Sequence, residues 1–421
     1  MNKIKNIAVI GSGGREHAVA WKLAQERGQE SVFVLPGNAG IPNSHSIDAS
    51  NFGAVQSFCI KNKINRIFVG PEQHLADGIA DYFKDSEILV LGPDAASAKL
   101  ESSKIFAKEF MKQYGVATAN FRKFNHIPDA QKYIQTKTNG MVIKLDGLAG
   151  GKGVFVCDTV KEGLEALQVL SEKYGEVDFI IEDKIVGDEI SIIGFTDGQN
   201  IQLLQASQDH KQLLDGDQGP NTGGMGAFCP VPEWNESLAQ DIRQRIIDPT
   251  LKGIQAEGMN YRGIIYFGIM VSKEGPFLLE YNVRLGDPET EVLLPSLKTN
   301  LTDLMEATLT GGLDKMELEF EDGFFVDVVL ASGGYPGEYV KGLPISIKKD
   351  DSLIFKAGVA LEQGQLVTYG GRVLNIVAHG SHLAQAIQKA YQSIQEVHFD
   401  GMYFRKDIGQ RKNNFLKNYS A

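Results

Sequence analysis

The stretch at 277–291, FLLEYNVRLGDPETE, decides how the rest of the chain is read. At the period of a strand, Phe277, Leu279, Tyr281 and Val283 fall on one side and Leu278, Glu280, Asn282 and Arg284 on the other. The first side is wholly apolar and is expected in a core. The second sets an acid, an amide oxygen and a guanidinium in a row, with side chains roughly 7 Å apart. Glu280 and Asn282 offer hard oxygens suited to Mg²⁺, which usually also takes phosphate oxygens from its substrate. Arg284, one step further, suits bidentate capture of those phosphates. The same pattern also fits the polar face of an edge strand neutralised by ordinary ion pairs. Gly286-Asp287-Pro288-Glu289 then forms a tight turn that brings two more carboxylates to the strand end.

Immediately upstream, a strand at 263–271 leads through Glu274-Gly275-Pro276 into this stretch and carries no acid. Further back, a helix is expected at 103–114, beginning with Lys104, and a strand at 141–144. The loop Asp146-Gly-Leu-Ala-Gly-Gly151-Lys152-Gly153 follows, then a strand at 154–156 and a helix opened by a Thr159/Glu162 capping box. The loop is not a phosphate loop of the GxxxxGK(S/T) type, because Asp146 stands at the first glycine and Gly153 at the hydroxyl position. It suits a flap that closes over phosphates, with Lys144 in reach, or else a plain hairpin with solvated lysines. Strands are expected at 178–182 and 190–196, joined by the charged linker 183–189, and a hairpin turn at Asp197-Gly198 leads to a strand at 201–205. Ser207-Gln-Asp209-His210-Lys211 and the glycine-dense run 219–226 invite close backbone approach to a ligand. His210, alone, reads more readily as a structural hydrogen-bonder than as an acid or base. A helix with packing periodicity spans 238–257.

The first hundred residues alternate strands at 7–10, 31–35, 66–69 and 88–91 with helices around 52–61 and 75–83, the pattern of a parallel, doubly wound sheet. Ligands of such a sheet sit at the carboxyl ends of its strands. The turn Gly11-Ser12-Gly13-Gly14-Arg15-Glu16 departs from a dinucleotide fingerprint. Glu16 occupies the third glycine position, and Leu35-Pro36-Gly37-Asn38 lacks the ribose acid. A glycine turn opening a helix still offers N–H groups to a phosphate, with Arg15 adding charge. The turns at 69–72 and 91–93 rim the same crevice. After 326 comes a further α/β segment, with strands at 353–357, 365–368 and 373–378 and a helix at 381–395 that carries no evident chemistry. Arg405-Lys406-Asp407 is expected to rim the crevice on its ligand side, and the polar tail 410–421 is expected to be loose.

Composition sets outer bounds. A chain of 421 residues accommodates about three domains. A formal charge of −11 disfavours nucleic acid and anionic membranes as partners. Cys59, Cys157 and Cys229 lack the spacing of a disulfide framework or zinc site. With no apolar run of membrane-spanning length and no signal peptide, a cytoplasmic enzyme is expected.

Taken in order, these motifs resemble the ATP-grasp ligases, and among them the glycinamide ribonucleotide synthetase family. The residues that carry the resemblance are GSGGREHA at 11–18, PGNAG at 36–40, GPE at 70–72, ESSK at 101–104 and VIKLDGLAGGKGV at 142–154. SQDHK at 207–211, GPNTGGMGA at 219–227, LEYNVRLGDPETE at 279–291, ASGGYPG at 331–337, GGRVL at 370–374 and RKDIG at 405–409 complete it. No single motif is specific; the ordered set is. The resemblance implies an α/β ATP-grasp fold. It has an N-terminal pre-ATP-grasp domain at 1–101, a grasp domain at 102–325 with a lid at about 121–193, and a C-terminal domain at 326–421. It implies ATP-dependent joining of glycine to 5-phosphoribosylamine through glycyl phosphate, the second step of purine synthesis, with Mg²⁺ or Mn²⁺. A monomer or weak homodimer is expected. By resemblance, Glu280 and Asn282 bind the metal, and Arg284, Lys211 and Asp209 are catalytic. Lys104, Lys144, Gly151, Lys152, Gly153, Glu182, Asp183, Ile185 and Glu189 bind ATP, the linker 182–185 holding adenine through its backbone. The substrate pocket takes Gly11, Gly13, Gly14, Arg15, Glu16, Asn38, Pro71, Glu72 and His210. Asn221, Thr222, Gly223, Gly224, Met225, Gly226, Asp287, Pro288 and Glu289 complete that pocket. Another ATP-grasp carboxylate–amine ligase is the nearest alternative, and an NAD(P)-dependent oxidoreductase or a non-catalytic nucleotide-binding module are the readings from other classes.

A carboxylate activated by phosphate needs no enzyme nucleophile, because the work is positioning and charge neutralisation. Protein quenched during turnover with γ-labelled ATP is therefore expected to carry no covalent label. A stoichiometric burst of labelled protein overturns the acyl-phosphate route.

Overall fold

The computed structural model describes residues 4–148, 153–348 and 352–419 of the chain. Gly151 and Lys152 lie outside them. The opening segment folds as read: the strand Asn6–Gly11 lies between Val32–Pro36 and Ile64–Val69, and Leu89–Leu91 closes a four-stranded parallel sheet. Parallel strands covered on both faces are apolar throughout, and Ile7, Val9, Ile67 and Phe68 are wholly buried here. The helix expected at 75–83 is instead two short ones, Glu72–Ala76 and Ile79–Phe83. They are divided at Gly78, whose φ of +85° puts it in the left-handed region that ends helices.

Residues 121–183 make a self-contained layer. Phe121–Phe124, Phe179–Asp183, Met141–Leu145 and Val154–Cys157 form an antiparallel sheet in that spatial order. The helices Ile127–Ile134 and Val160–Tyr174 pack on it around a separate core that includes Ile143, Leu167 and Phe179. The predicted capping box at Thr159 and Glu162 is present and adds about 1 kcal/mol to the second helix.

Facing that layer is a second antiparallel sheet, ordered Ile201–Leu203, Asp188–Thr196, Gly263–Ser272, Gly275–Asn282. Its last strand does not alternate simply. Gly268 faces Glu280 while Ile269 faces Leu278, so Leu279 is an extra, bulged residue. The slip exchanges faces. Leu278 enters the core with Tyr281 and Val283, whereas Leu279 and Phe277, expected there, are only half-buried. Glu280 and Asn282 keep the crevice side, where Lys144 reaches the strand.

The third sheet mixes distant parts of the chain. Gln208–Asp209 and Gly226–Cys229 pair into Phe324–Ala331, Arg372–Gly380 and Leu353–Lys356. The glycine-rich run is thereby welded to the C-terminal segment rather than to the sheet that carries Glu280. The tail expected to be loose is packed down. The backbone N–H groups of Phe415 and Leu416 donate to Asp188 at 2.6 and 2.9 Å, and Leu416 is wholly buried. Arg405 is likewise buried and ties Asp217 and Asp407 together at 2.9 and 2.7 Å.

The N-terminal helix Gly14–Arg27 docks on the C-terminal sheet through His17, whose Nδ1 accepts the backbone N–H of Lys356 at 2.8 Å. Burial, reinforced by the Lys356 charge, lowers its pKa to about 3. Above pH 6.5 the ring is neutral folded or unfolded and has no pH effect. Below it the unfolded chain takes up a proton that the folded state refuses, so stability falls as pH drops toward 3. His17→Asn is expected to flatten the acid-side loss of thermal stability by about 1.4 kcal/mol per pH unit below pH 6. Parallel acid profiles for the two proteins would dismiss His17 as its source.

Candidate active site

The site is built around Glu280. Burial alone would raise its pKa, but Lys144, Lys211, Lys104 and Arg284 together outweigh burial and hold the carboxyl ionised below its ordinary value. Among the described residues it has no hydrogen-bond partner. Asn282, two residues on, turns its Oδ1 to Arg284 Nη2 at 3.1 Å and keeps a second lone pair. One charged and one neutral hard oxygen match the donor set of Mg²⁺ or Mn²⁺ when phosphate oxygens complete the shell, so these residues fit such an ion. Among the described residues no group of three or more His, Cys, Asp or Glu gathers as a metal cluster.

Arg284 is fixed by acids from two directions. Its Nε meets Glu72 at 3.2 Å and its Nη2 meets Glu101 at 3.0 Å, and Glu101 also accepts the Val283 N–H at 2.7 Å. Burial pushes the Glu101 carboxyl up to about 7 despite Arg284. Two-point attachment fixes the plane of the guanidinium, the geometry needed to present a fork to phosphate.

Across the crevice, Lys144 pairs with Glu182 and donates to Leu279 O at 3.2 Å. Lys104 donates to Gly147 O at 2.8 Å, beside the glycine loop, and Gly153 holds the far end of that loop through its carbonyl to Leu145 N at 2.8 Å. Asp183 pairs with Lys137 at 2.5 Å and Ile185 is half-buried in the linker. Glu189 pairs with Lys211 at 2.5 Å, and Asp209 lies 4.0 Å from the same ammonium. Burial opposes the charge on Lys211, yet Asp209 and Glu189 raise its pKa well above the ordinary value. For Asp209 burial dominates, and Lys211 only partly offsets it, so its pKa rises to about 7.

The N-terminal turn is arranged differently from a free phosphate nest. Glu16 folds back, accepting the Gly13 N–H at 2.6 Å and the Arg15 Nε at 2.6 Å. It fills the space where a Cβ on Gly70 would lie 1.9 Å from its Oε1 and one on Gly11 2.5 Å from its Cγ. Arg15 in turn donates to Leu285 O at 3.0 Å and is largely buried. Glu16, and with it the Gly13 N–H, is spent on assembly. Asn38 is too: it donates to the carbonyls of Ser12, Lys356 and Ala357 at 2.7–3.0 Å. Gly14 and Pro71 stand at the starts of the helices Gly14–Arg27 and Glu72–Ala76, beside these turns.

The glycine-rich run is held from the C-terminal side. Arg372 Nη1 donates to Gly223 O at 2.5 Å and to Asp287 O at 3.0 Å, and lies 3.2 Å from the Asp287 carboxylate. Tyr335 OH accepts the Gly223 N–H at 2.9 Å. Gly224, at φ +111°, packs so closely that a Cβ would lie 2.4 Å from Pro288. Thr222 ties back to Lys211 O at 2.8 Å, and Asn221 is exposed at the rim. Met225 and Gly226 are buried, Met225 in the C-terminal core. His210 is wholly buried as well; its Nε2 accepts the Gly409 N–H at 3.1 Å, and burial lowers its pKa. Glu289 turns inward to Ser191 and Tyr266 at 3.1 and 3.2 Å.

The structure therefore brings Glu280, Asn282, Arg284, Lys144, Lys211, Lys104, Glu182 and Glu189 into one charged neighbourhood. Lys108 was not anticipated from the sequence, and Glu101, Arg372 and Tyr335 enter there only as members of the motifs ESSK, GGRVL and ASGGYPG, with no role of their own. Arg372 follows the Gly370-Gly371 pair and Lys108 stands one helical turn beyond Lys104, signals too common to single out alone.

Three profiles of the phosphoribosylglycinamide synthetase family match in order: its N domain over residues 5–101, its ATP-grasp (A) domain over 102–290 and its C domain over 325–411. The chain is 44% identical over 414 residues to the phosphoribosylamine–glycine ligase of Clostridium acetobutylicum, covering 96% of this chain and all of that protein. A crystal structure of the Thermotoga maritima phosphoribosylamine–glycine ligase superposes with a TM-score of 0.84 at 37% identity, over 96% of this chain and 99% of that one. The biotin carboxylase domain of Hydrogenobacter thermophilus 2-oxoglutarate carboxylase, crystallised with MgADP, shares the fold alone. Its TM-score is 0.71 at 15% identity, over 96% of this chain and 92% of that one. By full-length identity, by ordered domains and by fold, the chain belongs to the phosphoribosylglycinamide synthetase family.

Proposed function

We propose that this chain ligates glycine to 5-phosphoribosylamine at the expense of ATP, releasing ADP and phosphate and forming glycinamide ribonucleotide. The observation that carries the reading is the ionised Glu280 with Asn282, ringed by Lys144, Lys211, Lys104 and Arg284. Such a density of cations around one carboxylate suits a triphosphate and a transferring phosphoryl group. Domains at 1–101, 102–325 and 326–421, with residues 121–193 as a lid, fit that use.

In the first step an oxygen of the glycine carboxylate attacks the γ-phosphorus of ATP and the bond to ADP breaks, leaving glycyl phosphate. Lys104, Lys144 and the loop lysine Lys152 neutralise the phosphates, and Arg284 steadies the transferring group. Glu280 and Asn282 would hold a divalent ion, which would supply Lewis-acid polarisation for phosphoryl transfer. The linker with Glu182, Asp183 and Ile185 borders adenine and Glu189 the ribose. In the second step the amine of phosphoribosylamine attacks the acyl carbon and phosphate leaves with the bonding pair. The nitrogen sheds a proton, which Asp209, with its pKa near 7, accepts while Lys211 holds the carboxylate in place. The substrate amine and acyl phosphate meet between the turn at 11–16 and the loops at 221–226 and 287–289. Closure of the lid over them keeps water from the acyl phosphate.

ATP hydrolysis coupled to product should require glycine and phosphoribosylamine together. Rapid turnover with either omitted, or with a different amine acceptor preferred, overturns the substrate assignment. Asn282→Ala is expected to lower kcat by at least about a hundredfold with the fold retained, since it removes one oxygen from the ion and a partner from Arg284. A near-normal rate in limiting Mg²⁺ would remove Asn282 from the metal site.

A further inference from the structure

Lys108 takes no part in the mechanism above, yet it is among the most deeply buried charges in the molecule, its side chain 2% exposed. It lies on the helix Lys104–Tyr114, one turn beyond Lys104. Its ammonium sits 2.5 Å from Glu182 Oε2 and donates to Thr118 Oγ1 at 2.6 Å. The other oxygen of Glu182 pairs with Lys144. Thr118 Oγ1 donates to Leu278 O at 2.6 Å, and Lys144 donates to Leu279 O at 3.2 Å. The two lysines thus anchor, one through a threonine and one directly, on consecutive carbonyls at the bulge that precedes Glu280. Leu278, Thr118, Lys108, Glu182, Lys144 and Leu279 close a ring that joins the helix, the lid sheet and the strand of Glu280.

We propose that Lys108 is a positioning residue for ATP, occupying half of the Glu182 carboxylate so that Lys144 remains a net cation toward the triphosphate. This rests on the reading that Lys144 serves the ATP phosphates. The charge count gives the reason. Within this cluster Lys108 and Lys144 balance Glu182 and Glu280, so the part of the wall they form is neutral before a tetra-anionic nucleotide arrives. Without Lys108 the same part carries one net negative charge, and Glu182 turns wholly to Lys144, drawing it back. Both changes oppose the binding of phosphate, and in a dry crevice neither is screened well. Registry changes too, because Thr118 loses the donor that fixes its hydroxyl on Leu278 O. Burial lowers the Lys108 pKa to about 8 against the pull of Glu182, so the group is charged at neutral pH. Buried as it is, it touches no substrate and acts through Glu182 and Lys144.

A double-variant cycle on the full-length enzyme tests this, with steady-state KM for ATP and for glycine, and equilibrium ATP binding, measured for Lys108→Met, Glu182→Gln and the double variant. Lys108→Met is expected to raise KM and Kd for ATP about tenfold or more while KM for glycine moves less than about threefold, the loss following from an uncompensated buried charge. In the Glu182→Gln background the same replacement is expected to cost ATP affinity a clearly smaller factor, because the part of the effect that runs through Glu182 is gone and only the one-unit change in net charge remains. ATP affinity unchanged in Lys108→Met, or losses that multiply in the double variant, overturn the proposal. If Lys108→Met does not fold, Glu182→Gln against the double variant, which leaves no lone buried charge, still decides it. An absence of ATP binding by the wild-type protein would instead sink the ligase reading itself.

Discussion

Gathering cations in a narrow crevice is costly unless each has a counter-charge, and that constraint orders this molecule. Lys144 and Lys108 share Glu182, Lys211 has Glu189, and Arg284 has Glu72 and Glu101. Each acid comes from a different element from its cation, so neutralising the site also assembles the fold. Glu72 follows a strand of the first sheet, Glu182 belongs to the sheet of residues 121–183, and Glu189 lies on the strand Asp188–Thr196. Salt bridges of this kind are poor sources of net stability, since desolvation offsets most of the attraction. Their value here is placement: a lysine held by a carboxylate at 2.5 Å has few rotamers left.

The bulge at Leu279 shows how backbone irregularity serves the chemistry. A regular strand would set Leu278 on the same face as Glu280 and Asn282. The extra residue instead sends Leu278 to the core with Tyr281 and leaves the carbonyls of Leu278 and Leu279 facing donors from Thr118 and Lys144. Period-two reading placed Glu280 and Asn282 on one face correctly because both lie beyond the slip. It misassigned Leu278 and Leu279 because a bulge depends on the partner strand, at Gly268, and leaves no local mark.

The same division between local and distant causes runs through the chain. The alternation of buried strands and helices, the Thr159 capping box and the helix opened by Ser103 were legible because their determinants lie within a few residues. The motif order made the ATP-grasp fold and the candidate set legible by family likeness. Glu16 turned inward onto Gly13 and Arg15 in the space that Gly70 leaves open, while His210 was absorbed by Gly409 and the tail locked onto Asp188, through partners about 200 residues away that no periodicity reveals. Polarity in the tail suggested solvent, whereas its N–H groups were answering a buried acid. Arg372, present in the motif GGRVL, carried no role of its own for a similar reason, since its worth lies in bridging Gly223 and Asp287.

The folded-back carboxylate at the first turn has an evolutionary corollary. Gly11 and Gly70 come from separate strand ends, and both are cut to the outline of Glu16. An alanine at Gly70 overlaps that side chain, and a shorter side chain at Glu16 strands the Gly13 N–H and the Arg15 Nε together. The three positions therefore constrain one another, and a Glu16→Gly change toward a dinucleotide fingerprint forfeits the hydrogen bonds that fold this corner.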